Sequence, residues 1–135
     1  MTELEQEVDQ LFADYFRHFG NLDLDAIVSY FHLPCMFTTP FGVFVFNTSA
    51  EVEGFWHPRF EDLKAQDFGH TERSQACIKV LTDDTAFASS LATRFNKAGV
   101  QMERRGAAFT VRKTGGSWKI VALIHHSPDT VIQLS

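Results

Sequence analysis

The sequence predicts an α+β fold in which one strongly curved antiparallel sheet of about six strands wraps around three to four helices. Helical periodicity extends over residues 4–31, and a tight apolar hairpin follows over residues 35–47. After one more helix, nearly every segment from His70 to His126 has the pattern of a strand. Helices that precede a run of strands favour a sheet with helices packed on one face. A sheet curved around helices leaves a cavity between them.

The first helix is indicated by apolar residues at the spacing of one buried helical face. These residues are Val8, Leu11, Phe12, Tyr15, Phe16 and Phe19. Gly20 and Asn21 are expected to end this helix, because both tolerate the left-handed backbone of a helix end. Asp23 caps a second, short helix whose apolar face extends to Phe31.

Proline marks the segments between the second helix and the strands. Pro34 excludes further helix and begins a strand over residues 35–39, which a turn connects to a second strand over residues 43–46. A capping-box pattern at Thr48 starts the third helix. Pro58 is expected to break or kink that helix, because proline removes a backbone donor.

Four strands are predicted in the second half of the chain, at residues 70–82, 85–97, 100–113 and 117–127. Their turns are indicated by short clusters of Asp, Gly and Thr. Across the hairpin between the second and third of these strands, we expect Arg94 and Glu103 to form an ion pair.

Composition narrows the classes of function. Residues 1–135 are expected to form one domain, with a formal net charge of −5 that argues against a nucleic-acid partner. No apolar run approaches the roughly 18 residues of a membrane helix. The acidic start of the chain lacks the pattern of a signal peptide. We therefore expect a cytoplasmic protein with no membrane partner.

No pattern in the sequence is typical of a metal or cofactor site. The six His and two Cys residues include no Cys-x-x-Cys and no histidine pair at helical i, i+4 spacing. Glycine-rich phosphate loops are also missing from the sequence. We expect no metal and no cofactor.

Phenylalanine dominates the aromatic residues. Fourteen Phe stand against two Tyr and two Trp, so most of the aromatic area has no hydrogen-bonding group. Such a composition favours a core rich in aromatic rings. It also suits a cavity for an apolar or aromatic molecule.

The order of elements and three short segments resemble the NTF2-like superfamily, which includes ketosteroid isomerases and SnoaL-type polyketide cyclases. The segments are residues 23–31 (DLDAIVSYF), 40–42 (PFG) and 116–121 (GSWKIV). The first is similar to a stretch of ketosteroid isomerases, and the last to a strand common to the superfamily. The resemblance covers essentially the whole chain. It implies the cone-shaped NTF2-like fold, also called cystatin-like, in a domain similar to SnoaL and to ketosteroid isomerases.

The resemblance does not extend to the isomerase acids. A gapless match places Tyr15 at the position of the oxyanion-hole tyrosine, which suggests that its hydroxyl donates to a ligand oxygen. The same match, which covers the first half of the chain, places Thr39 at the position of the proton-abstracting aspartate. By resemblance, the second acid of the isomerase would fall near Ala107 and Ala108. An unactivated threonine hydroxyl does not act as a general base near neutral pH. Steroid isomerisation of that type is therefore not expected.

His125 is the second candidate catalytic residue. Strand alternation puts adjacent side chains on opposite faces, so His125 and His126 cannot both enter one cavity. By resemblance, the set that contains His125 lines the cone, where an imidazole with a pKa near neutrality acts as general acid, general base or hydrogen bonder. For both His125 and Tyr15, a purely structural role is the alternative. The further side chains expected to line the pocket are Thr39, Phe31, Phe55, Trp56, Leu91 and Leu123.

Two functions remain open from the sequence. One is a cofactor-independent lyase, isomerase or cyclase that acts on a hydrophobic small molecule in the Phe-rich pocket. The other is a non-catalytic domain for ligand binding, dimerisation or association. In either case we expect a homodimer through the outer sheet face, where alternation places Trp118, Ile120 and Ile124, because so apolar a face is unfavourable in water.

Overall fold

The structure, a computed structural model, describes residues 1–133. The helices are α1 (Glu3–Gly20), α2 (Leu24–Ser29) and α3 (Ser49–Ala65), followed near the end of the chain by a 3₁₀ helix at Pro128–Thr130. The strands are β1 (Phe31–Thr39), β2 (Gly42–Phe46), β3 (Phe68–Thr82), β4 (Thr85–Asn96), β5 (Gln101–Thr114) and β6 (Ser117–His126). No helix among these residues is long and apolar enough to cross a membrane.

The six strands form one sheet in the order β2-β1-β6-β5-β4-β3. The predicted fold class is confirmed, with one refinement of the sheet. Every neighbouring pair is antiparallel except β1 and β6, which run parallel. These two strands are far apart in the chain and no hairpin joins them, so no short turn imposes an antiparallel direction on the pair.

Helix α1 forms as the sequence predicts. Thr2 and Glu5 make a reciprocal capping box at its start, which satisfies backbone donors that have no partner within the helix. Its buried face comprises Val8, Leu11, Phe12, Tyr15 and Phe19. This face packs onto the inner side of the sheet and closes one side of the cone.

The predicted break at Pro58 is wrong, because α3 continues through it from Ser49 to Ala65. The proline removes the amide that would bond to the carbonyl of Gly54. Gly54 is exposed, so water can satisfy this carbonyl and the lost hydrogen bond is tolerated.

The boundary between α2 and β1 also differs from the prediction. Phe31 is the first residue of β1 rather than part of the second helix, and Pro34 lies within the strand. Proline is compatible with extended backbone when its missing amide is not needed by a neighbouring strand. Pairing with β6 is irregular between Phe31 and Met36, which is the stretch that contains Pro34.

A β-bulge in β6 corrects the predicted outer face. Ile120 pairs with Val111 and Ala122 with Thr110, which leaves Val121 as one extra residue in β6. The bulge reverses the alternation, because an extra residue shifts every later side chain to the other face.

As a result, Trp118 and Ile120 point inward, where they are buried in the core, and their placement on the outer face is wrong. Beyond the bulge, Leu123 is also buried in the core, whereas Ile124 lies outside as predicted.

Aromatic side chains fill most of the interior. Phe12, Phe37, Trp56 and Phe60 are all at most 2% exposed, and their rings pack within one core cluster. Edge-on and tilted ring pairs dominate, for example Phe19 with Phe60 at 5.2 Å between centroids. The large apolar hollow expected from the sequence is therefore occupied mainly by the protein's own phenylalanines.

The outer face of the sheet is only partly covered. The C-terminal segment crosses it near β4, where the Ser89 hydroxyl donates to the backbone carbonyl of Ile132. On β1, β2 and β6, no side chain or segment among residues 1–133 buries the apolar side chains of the outer face. We call the exposed apolar side chains there the outer patch: Met36, Val43, Val45 and Ile124.

At Gly106, β5 packs so closely against the end of β6 and the residue after it that no side chain fits. A Cβ atom at this glycine would lie 2.4 Å from the His126 ring and 2.6 Å from the backbone oxygen of Ser127. We expect Gly106→Ala to lower the free energy of unfolding by about 1–3 kcal/mol, because the backbone atom cannot move aside.

The matched control is Gly54→Ala in α3, where an added Cβ meets nothing within 4 Å. This change should raise stability by up to about 1 kcal/mol, because alanine favours the helix over glycine. Urea denaturation of both variants is the measurement. Equal effects of the two changes would contradict the described packing.

Candidate functional site

A small cavity lies between α1, α3 and the inner face of the sheet. Its volume is about 30 Å³, which is enough for one or two water molecules. Tyr15, Trp56, Phe109 and His125 are among the residues that line it. Two candidate residues from the sequence, Tyr15 and His125, thus lie on the wall of one space.

The cavity opens toward a wider depression at the end of the cone, which we call the mouth. The mouth has a volume of about 310 Å³, close to the lower limit of typical ligand pockets. It shares Phe19, Trp56, Arg94 and Arg105 with the inner cavity, so the two spaces adjoin. The inner cavity is chiefly aromatic, whereas the mouth is polar.

His125 faces inward, on the side predicted for it. It pairs across the sheet with Ala107, which also lines the cavity, and its ring lies edge-on to Trp56 with 6.2 Å between centroids. Burial, together with the positive charges of Arg105 and Arg94, lowers the pKa of His125 to about 3. The expected pKa near neutrality is therefore wrong, and the imidazole is neutral at physiological pH.

Tyr15 is buried at the centre of an aromatic cluster. Its ring lies 5.3 Å from that of Phe16 and 6.1 Å from that of Phe31. Burial raises the pKa of Tyr15, and the nearby positive charge of Arg94 offsets only part of the increase. The hydroxyl thus remains protonated and can donate a hydrogen bond.

Three buried polar atoms around the inner cavity have no hydrogen-bond partner among the described residues. They are the indole Nε1 of Trp56, the hydroxyl of Thr71 and the Nε of Arg94. A buried polar group that lacks a partner costs about 1–3 kcal/mol, so such groups are rare in folded proteins. Their grouping on one cavity makes this the strongest candidate site in the chain.

Arginines from two sides of the mouth surround it. Arg94 on β4 pairs with Glu103 on β5, as the sequence predicts, and Arg105 lies 3.4 Å from the same carboxylate. Arg59 on α3 donates to the Phe55 carbonyl at 2.7 Å, and its guanidinium lies 3.6 Å from the centre of the Phe55 ring. The mouth therefore combines aromatic surface with concentrated positive charge.

The remaining residues expected in the pocket lie elsewhere, apart from Trp56. Thr39 is the last residue of β1, next to the β1–β2 turn, where its hydroxyl accepts a hydrogen bond from the Phe41 amide at 3.1 Å. Phe31, Phe55 and Leu123 lie on the inner side of the sheet, but they are buried in the core and do not line the cavity or the mouth.

Leu91 does not line the cavity because its side chain points to the outer face of the sheet. Its neighbours Ala92 and Arg94 show which β4 side chains point inward, and Leu91 has the opposite alternation. It lies on the outer face of β4, next to the segment that Ser89 binds, and is buried there.

Sequence reasoning did not find Thr71, Arg59 or Arg105. For Arg105 the available signal was an arginine within a predicted strand, since a charge on the concave face of a sheet needs a partner or a ligand. Thr71 and Arg59 carried no comparable signal in the sequence. Within residues 1–133, no group of three His, Cys, Asp or Glu side chains is arranged to hold a metal ion.

A comparison with known families agrees with the geometry of the fold. The family model of NTF2-like protein (DUF6841) matches residues 5–128. The chain belongs to the NTF2-like superfamily. No curated protein matches its sequence significantly.

Solved structures share the NTF2-like fold at low sequence identity. Aln2 from a Streptomyces species has a TM-score of 0.78 and 16% identity, and the match covers 96% of this chain and 94% of that one. A ketosteroid isomerase-like protein from Erwinia carotovora atroseptica has a TM-score of 0.71 and 21% identity, with 93% and 96% covered. A protein of unknown function with a cystatin-like fold from Nostoc punctiforme has a TM-score of 0.72 and 18% identity, with 93% and 92% covered.

The neutral state of His125 predicts a pH dependence of stability. Its pKa is about 3 in the folded protein and 6.5 in an unfolded chain, so only the unfolded chain binds this proton between those values. Stability is therefore lost as the pH falls below about 6.5. Between pH 7 and pH 5 this histidine should account for a loss of about 2 kcal/mol.

Urea denaturation of wild type and His125→Gln at both pH values measures this contribution. The variant should lose about 2 kcal/mol less than wild type over the interval. His57→Gln, which removes an exposed histidine from α3, is the control and should follow wild type. A His125→Gln variant that also follows wild type would contradict the low pKa of His125.

Proposed function

We propose that this NTF2-like domain binds a small organic molecule at the mouth and inner cavity of the cone. The observation that carries the proposal is the set of unpartnered polar atoms of Trp56, Thr71 and Arg94 on one cavity. An indole N–H and a guanidinium N–H can only donate. A ligand oxygen placed there would satisfy donors that the protein itself leaves unpaired.

The same groups favour binding and orientation of a ligand over removal of a proton from it. A histidine with a pKa of about 3 is a weak general base at neutral pH. Thr39 and Ala107, which stand in place of the isomerase acids, supply no base either. Tyr15 and Trp56 remain as hydrogen-bond donors toward a carbonyl oxygen or an oxyanion. We therefore favour ligand binding over the cofactor-independent lyase, isomerase or cyclase.

Thr71→Val separates a ligand-binding hydroxyl from a structural one. Valine has the same shape as threonine but lacks the unpaired hydroxyl, so we expect the free protein to gain about 1 kcal/mol of stability. Ligand binding should weaken, because the hydroxyl no longer bonds to the ligand. The measurement is a thermal-shift screen of aromatic acids, aromatic ketones and aromatic amides on wild type and variant.

The control is Thr110→Val on β5, where the threonine is exposed and the shift of each hit should stay unchanged. A hit at about 100 times its dissociation constant adds about 2.7 kcal/mol to wild type. If no compound stabilises wild type, or if Thr71→Val responds to every hit as wild type does, the proposal is wrong.

We propose, as a second function, that the domain associates with a copy of itself through the outer patch. The patch is continuous, because Met36 pairs with Val45 on β2 and lies near Ile124 through the β1–β6 pairing. Val43 and Val45 are 63% and 60% exposed. Exposed apolar side chains on a sheet face favour association with a second apolar surface, and twofold symmetry is the commonest arrangement.

A charged residue in the outer patch should disrupt the dimer. We expect light scattering to give twice the mass of one chain for wild type and the mass of one chain for Val45→Glu. The control, Val100→Glu, changes an equally exposed valine in the β4–β5 turn and should remain dimeric. A monomeric wild type would contradict the proposal, and so would a dimeric Val45→Glu.

A further inference from the structure

We infer that the ligand carries a carboxylate, bound by Arg59 and Arg105 at the mouth while its apolar part contacts Phe19 and Trp56. This inference rests on the proposed function, because it names the chemistry of the molecule that occupies the proposed site. Three features of the mouth support it: the charges of the side chains that line it, the ion pairs these charges already form, and the aromatic surface beside them.

The charges at the mouth do not cancel. Three guanidinium groups line it, those of Arg59, Arg94 and Arg105, together with the carboxylates of Asp62 and Glu103. One positive charge is left, although the whole chain has a formal net charge of −5. A monoanion would neutralise this surplus, whereas a phosphate dianion would leave a surplus of the opposite sign. The balance therefore favours a carboxylate.

Arg94 and Arg105 have a carboxylate partner at the mouth, whereas Arg59 has none within ion-pair distance among the described residues. Glu103 bonds to Arg94 and lies 3.4 Å from Arg105, so one side chain partners both groups from β4 and β5. Arg59 lies across the mouth on α3. Among residues 1–133 it has no ion pair, and its one protein hydrogen bond goes to the Phe55 carbonyl. Arg59 and Arg105 thus retain N–H groups for a further acceptor.

The arginines repel one another across the mouth. Burial lowers the pKa of Arg59, and the charge of Arg105 lowers it further, against the opposing effect of Asp62. Burial and Arg105 likewise lower the pKa of Arg94, against the opposing effect of Glu103. Like charges brought together in a partly dry space are unfavourable unless an anion joins them. A bound carboxylate would relieve this repulsion and form charge-assisted hydrogen bonds.

The aromatic surface beside the arginines suits the rest of such a molecule. Phe19 and Trp56 line both the mouth and the inner cavity, and the Arg94 guanidinium lies 5.1 Å from the centre of the Phe19 ring. An aromatic or aliphatic ring placed on this surface would direct its carboxylate outward to the arginines. The mouth, at about 310 Å³, is large enough for one or two fused rings.

Matched acids and amides test the inference. The probes are benzoate, indole-3-acetate and 2-naphthoate, each compared with its neutral amide by isothermal titration calorimetry. We expect the acid of at least one pair to bind about tenfold more tightly than its amide, and we expect this advantage to fall as salt concentration rises. In Arg59→Gln and in Arg105→Gln the acid should lose the advantage while the amide keeps its affinity.

The control is Arg104→Gln, which removes the same charge from the outward side of β5 and should keep the preference for the acid. Equal affinity of acid and amide would overturn the inference and leave the proposed function standing. So would tighter binding of phenyl phosphate than of benzoate, or loss of the preference in Arg104→Gln. Failure of all acids and amides to bind would overturn both the inference and the proposed function.

Discussion

The bulge at Val121 is the constraint on which the arrangement of the site depends. Before the bulge, β6 directs Trp118 and Ile120 into the core, and after it the same strand directs Leu123 and His125 inward. Without the extra residue, one of these two sets would point outward, because alternation has a period of two. The strand would then either leave the core incomplete or remove His125 from the cavity wall.

The predictable parts of the fold were those encoded locally. Residue spacing indicated the buried face of α1, and the capping-box pattern at Thr48 located the start of α3, because both signals act within a few residues. The bulge in β6 lies in a uniformly apolar stretch with no glycine or proline to mark it, so alternation alone misplaced Trp118 and Ile120. Arg59 and Thr71 were missed because each reaches its space, the mouth or the inner cavity, only through the packing of α3 on the sheet.

In the inner cavity and the mouth, the free protein leaves polar groups without hydrogen bonds and positive charges without full neutralisation. The buried polar groups of Trp56 and Thr71 have no partner among the described residues, which is unfavourable, and neighbouring arginine charges repel. The closely packed aromatic core around these groups stabilises the fold and offsets their unfavourable free energy. In most of a fold, buried polar groups are paired and like charges are kept apart, and functional sites commonly depart from this pattern. Here both departures occur in the two adjoining spaces.

The indole N–H signals of the two tryptophans provide the most direct test that these exceptions form a ligand site. Trp118 donates its N–H to Glu7 at 2.9 Å, whereas the N–H of Trp56 has no partner among the described residues. A ¹H–¹⁵N correlation spectrum recorded during titration with 2-naphthoate, with the signals assigned through Trp56→Phe, distinguishes them. We expect a saturable shift of the Trp56 signal, because the bound ring contacts this indole, and an unchanged Trp118 signal. A spectrum in which only the Trp118 signal moves, or in which neither signal moves, would contradict it.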